Sequence, residues 1–193
     1  MDKVTKILCL GAYLPGCPLN IKGEFAAIEN IVKSKFEFSS EESVNADRLL
    51  SITNTIRPNI LHLFFNLSSK NEYVTLANDG KWEEVSYDFL VFALAGCGIS
   101  LIVLNFSFGN ELARRLVETS GISVVIATTT YVQNSIIEWF AEEFYKKLSS
   151  GETLSEAYNH AVRECGVEKA FRLRHSICDN PNEIIFPKLV RSK

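Results

Sequence analysis

Ser107 closes an apolar run, and that position gives the chain its clearest opportunity for chemistry. In SLIVLNFSFGNELARRL (100–116), a strand-length apolar stretch enters the turn Ser107-Phe108-Gly109 and then a helical pattern. In parallel α/β proteins, reactive side chains are presented at the carboxyl ends of such strands. A serine there acts as a nucleophile only when a base activates it. The nucleophile elbow of hydrolases requires G-x-S-x-G, whereas the frame is Asn105-Phe106-Ser107-Phe108-Gly109 and lacks the first glycine. The plainer reading makes Ser107 the cap of the helix that begins near Asn110. The matching tip of an earlier strand, NILHLFFNLSS (59–69), carries Asn66.

Other constellations are weaker. Gly11 and Gly16 have the spacing of a phosphate-binding loop, but Cys17-Pro18 stands where its Lys and Ser/Thr belong. The three histidines, His62, His160 and His175, are far apart and none pairs with Cys or Asp at ligand spacing, so no metal site is expected. His62 lies mid-strand among apolar residues and reads as a hydrogen-bonded core histidine. His175 falls in RLRHS, which reads as a solvated basic loop.

The elements that must position these residues alternate. Apolar runs at 6–13, 59–65, 100–106 and 122–130 read as buried strands. KFEFSSEES (35–43) alternates as a half-exposed strand, and EIIFPKLV (183–190) reads as a final edge strand, with Pro187 confined to an edge. Helical patterns occupy 23–35, 46–56, 87–95, 110–120, 134–149 and 154–165. Asn45, Ser86 and Thr153 stand as caps, the last in a capping box with Glu156. Asn78-Asp79-Gly80 signals a hairpin. The pattern predicts an α/β three-layer sandwich: a mostly parallel sheet of about six strands, helices on both faces and a small β-hairpin.

A length of 193 residues suits one domain, taken as 1–193. The formal net charge of −3, with scattered basic residues, argues against nucleic acid or an anionic membrane as partner. No apolar run is long enough to span a bilayer, and the amino terminus lacks a signal-peptide pattern. Five cysteines at irregular spacings fit free thiols in a reducing cytoplasm.

In order along the chain, RPNILHLFFNLSS, EYVTLANDGKWEEVSYDFL, LIVLNFSFGNELARRL and FAEEFYKKLSSGETLSEAY resemble blocks of the CHAT domain, a caspase-like, separase-related cysteine protease domain of clan CD type. The resemblance runs from about Lys6 to Cys165. It implies that His62 matches the family's non-catalytic histidine, while the catalytic histidine falls on Asn66 and the catalytic cysteine on Ser107. An amide does not titrate usefully near neutrality, and a serine needs a base more than a thiol does. The dyad would then be vacated, with Leu67, Phe106 and Phe108 filling and drying a cleft also lined by His62 and Thr128. A compensating Cys97–His62 pair fails on geometry, because Cys97 precedes its strand. The resemblance therefore implies a catalytically inactive pseudoprotease without cofactor. It would act as a protein-interaction or regulatory module in bacterial antiphage defence, conflict or signalling. Its partner would be an active protease or effector, with homodimerisation through the carboxy-terminal edge strand. Two alternatives stay open. One is an active hydrolase using Ser107 or a cysteine as an unconventional nucleophile. The other is a ligand-sensing module built on the strand-end crevice near Tyr13, Asn66, Ser107 and residues 128–131.

Overall fold

The computed structural model describes residues 4–13, 20–68, 72–176, 181–182, 184 and 186. Along the chain it contains β1 (Lys6–Gly11), α1 (Ile21–Val32), β2 (Glu37–Glu41), α2 (Ala46–Ile56), β3 (Ile60–Phe64), β4 (Asn66–Leu67), β5 (Tyr73–Asn78) and β6 (Lys81–Ser86). There follow α3 (Tyr87–Leu94), β7 (Leu101–Leu104), α4 (Asn110–Thr119), β8 (Val124–Thr128), α5 (Asn134–Ser150), α6 (Leu154–Glu164) and β9 (Phe171–His175).

The architecture is the expected mixed α/β sandwich. A six-stranded sheet has the order β2-β1-β3-β7-β8-β9, parallel except for the antiparallel β9. Its central strands are continuous apolar runs because both faces are covered. Period-two alternation divides them. Leu8, Leu61, Ile102 and Val125 pack with α2, α3 and α4, whereas Ile7, Ile60, Val103 and Ile126 pack with α1, α5 and α6. The register aligns Cys9, His62, Val103 and Ile126 across four strands.

A separate antiparallel sheet, β4-β5-β6, turns at Asp79-Gly80, where both residues have positive φ (47° and 77°), as a tight hairpin turn requires. It docks on the start of α2: Ala46 N–H donates to Glu83 Oε2 at 3.2 Å and Asn45 Nδ2 to Asn78 Oδ1 at 3.3 Å. The caps read from the sequence form. The side chains of Asn45 and Ser86 accept from Arg48 and Phe89 N–H, and Thr153 and Glu156 close a capping box.

One edge of the sheet carries a strand that the sequence reading did not expect. The predicted terminal strand at 183–190 lies outside the described residues except for 184 and 186. Among the described residues the sheet ends on β9, in the segment read as a basic loop. Phe171 is buried and Leu173 half-buried there, so an apolar alternation exists beneath the arginines, whose long stems tolerate an edge position.

Candidate functional site

Strand order reverses between β1 and β3, where open parallel sheets present a ligand crevice. At Gly11, the last residue of β1, the backbone is tightly packed. A Cβ placed on Gly11 would lie 2.6 Å from Ile21 Cγ2 and 2.9 Å from the Glu42 carbonyl, so α1 packs directly onto the end of β1. Open space lies further along, between the small sheet and α4.

The sequence-selected residues divide between core and surface. His62 and Phe106 are buried on opposite faces of the sheet. Thr128 is buried at the end of β8, and its hydroxyl donates to the Phe106 carbonyl at 2.8 Å. Asn66 leaves the main sheet and pairs with Thr75 in the small one. Ser107 does not cap α4, whose start at Gly109 has no side-chain cap. Its Oγ accepts from Val132 N–H at 3.1 Å and lies 3.4 Å from the Val132 carbonyl, tying the turn after β7 to the loop after β8. Ser107→Ala should therefore cost about 1 kcal/mol, one net hydrogen bond, as measured by urea denaturation. A loss above about 3 kcal/mol would show a larger role than this tie.

Leu67 and Phe108 meet at a cleft of about 500 Å³ whose lining also includes Glu72, Tyr73, Tyr87 and Glu111. Phe108 has φ of 60° and remains 51% exposed. A bulky residue at positive φ is strained, and such strain concentrates where it serves a site. The acidic wall is fixed by arginines. Arg115 reaches Glu72, Asp88 and Glu111, and Arg114 reaches Glu111 and Glu118. Hydrogen bonds from Arg114 and Arg115 hold the Glu111 carboxyl at about 2. Its contribution to stability is present above its ordinary value of 4.5 and is lost as pH falls through about 2. Burial, then the nearby Glu111, raises the Tyr87 phenol, so that ring stays neutral.

A second polar group lies beneath the sheet, and three of its members, Glu24, Asn105 and Tyr145, lay outside the sequence-selected set. Glu24 Oε1 is 2.6 Å from His62 Nε2 and 2.5 Å from Asn105 Nδ2, and His62 Nδ1 is 3.3 Å from the Tyr145 hydroxyl. All four residues are fully buried. Burial, followed by the neighbouring Glu24, pushes the Cys9 thiol well up; burial, then Cys9 and Glu24, does the same to the Tyr145 phenol. Cys9 is thus a protonated core thiol rather than a nucleophile. The arrangement resembles a catalytic carboxylate–imidazole couple in chemistry only, since no substrate reaches it; its effect is to fasten α1 and α5 to β3 and β7. Among the described residues, no group of three or more His, Cys, Asp and Glu side chains is placed to hold a metal ion.

No protein-family model matches the chain. No curated protein sequence matches it. Among solved structures it is similar to pyridoxal kinase from Staphylococcus aureus bound to pyridoxal, at 9% identity and TM-score 0.45, covering 85% of this chain and 87% of that one. The same kinase bound to ADP gives 10% identity and TM-score 0.43 at the same coverage. These neighbours are not caspase-like, so the expected CHAT membership is corrected. With it fall the inactive pseudoprotease, its non-enzyme status, and the interaction role in antiphage defence. There is a physical reason the motifs misled. FAEEFYKKLSSGETLSEAY encodes an amphipathic helix, a left-handed Gly151 cap and a capping box, a helix–turn–helix grammar open to any α/β domain. At this level of likeness the kinases assign no activity to the chain.

Proposed function

We propose that the chain is a single small-molecule-binding domain whose ligand occupies the cleft between β4-β5-β6 and α4. The observation that carries this reading is Phe108, an aromatic side chain held half in solvent by a strained backbone at the rim of a concave, partly apolar space. Burial does not repay that strain, whereas contact with a bound molecule would. Among the described residues, no helix is long and apolar enough to cross a membrane, and Cys9, Cys97 and Cys165 are free. A reducing cytoplasm is the setting these thiols favour.

The test is a thermal-shift screen of small aromatic compounds against wild type and Phe108→Gly. Glycine accepts positive φ without strain, so the variant should melt within a few degrees of wild type, its greater chain entropy offsetting the relief. A ligand at about 100 times its dissociation constant stabilises by about 2.7 kcal/mol, and the variant should lose most of that rise. If Phe108→Gly costs more than about 2 kcal/mol, Phe108 is a packing residue and the reading fails.

A further inference from the structure

We infer, resting on the ligand-binding reading above, that the cleft selects an organic cation with an aromatic or alkyl flank. Two independent features of its wall point the same way. Tyr73, Tyr87 and Phe108 contribute aromatic rings, whose faces carry the negative part of the ring quadrupole and attract cations. The described lining also contains the carboxylates of Glu72 and Glu111 and no basic side chain. The adjoining arginines do not cancel that charge. Among the described residues, Arg114 and Arg115 serve Glu72, Asp88, Glu111 and Glu118 together, leaving two guanidiniums against four carboxylates. Both guanidiniums are held by these contacts, so neither is free to swing over an incoming anion. An anionic ligand would meet the surplus charge at short range and be repelled. A neutral one would gain the apolar contact but none of the electrostatic attraction. The volume, about 500 Å³, suits a molecule of one or two rings rather than a peptide or nucleotide chain.

The experiment is isothermal titration of the intact chain with three probes of similar size: benzyltrimethylammonium, the neutral alcohol 2-methyl-1-phenylpropan-2-ol, and the anion 3-phenylpropionate. The cation should bind about tenfold tighter than the alcohol, the scale of a desolvated cation–π contact, and the anion should bind least. Glu72→Gln and Phe108→Gly should each narrow the gap between cation and alcohol, and raising the salt should weaken the cation alone. Equal binding of cation and alcohol overturns the cation preference and leaves the ligand-binding reading standing. Tighter binding of the anion overturns the charge argument outright. No heat from any probe, with unchanged melting temperatures, overturns the proposed site itself.

Discussion

Replacing Glu24 by alanine should destabilise the protein by about 3 kcal/mol or more, the cost of leaving two buried hydrogen-bonding groups without their shared partner. The carboxylate accepts from both His62 Nε2 and Asn105 Nδ2 through one oxygen. Its removal leaves two polar donors in a site from which water is excluded, and each then bears its desolvation cost without compensation. For a chain of this length the melting temperature should fall by roughly 6–12 °C. Glu24→Gln should cost less, since it keeps the volume and one acceptor oxygen. His62→Leu in the Glu24→Ala background should cost less than the two single losses combined, because the orphaned imidazole is removed with its partner. Urea denaturation of the four proteins measures both the loss and the coupling. A Glu24→Ala loss below about 1 kcal/mol would mean that the pair contributes no more than a surface contact and that α1 is held by apolar packing alone.

The signal for this network was present in the sequence, but its partners were not. Ile21, Glu24, Phe25, Ile28 and Val32 are the buried residues of α1, and they recur at helical spacing, so Glu24 occupies the apolar stripe rather than the solvent face. Asn105 likewise extends the run LIVL, and Tyr145 shares a stripe with Phe144 and Leu148. A polar residue on a buried stripe announces that it must be satisfied, yet only the sheet order, with β1 beside β3 and β3 beside β7, brings the four together. Local grammar was more accessible. The buried strands, the Asp79-Gly80 turn and the three caps each depend on a few adjacent residues. Phe108 escaped for the opposite reason. In a Phe-Gly pair the glycine is the natural carrier of positive φ, but Gly109 sits at −71° and Phe108 takes the left-handed conformation. Nothing local to the pair foretells that exchange. The strand β9 was hidden because its basic residues, Arg172, Arg174 and His175, outnumber its apolar ones, Phe171 and Leu173, although alternation rather than composition is what places a strand.

Phe140→Ala should be the most damaging single truncation on the α5 side of the sheet, at about 4 kcal/mol. Phe140 is fully buried and meets three other rings. It stacks on Phe171 at 4.1 Å and on Phe144 at 6.0 Å, and it meets the edge of Tyr158 at 6.3 Å. It is therefore the point at which α5, α6 and β9 share one contact. Alanine removes the transfer energy of the ring and leaves a cavity that three separately anchored elements cannot jointly collapse to fill. The expected fall in melting temperature is roughly 8–16 °C, whereas Phe140→Leu, which fills most of the volume, should cost under half as much. The damage should also be uneven. Among the described residues β9 pairs with the sheet through β8 alone, and Phe171 is its buried anchor. Amide exchange in β9 should accelerate more than in β3, which is paired on both sides. Uniform acceleration across the sheet would show that β9 is not separately held by this stack. A melting point within about 3 °C of wild type would show that the cavity collapses after all and that the aromatic cluster is not what secures the sheet's last strand.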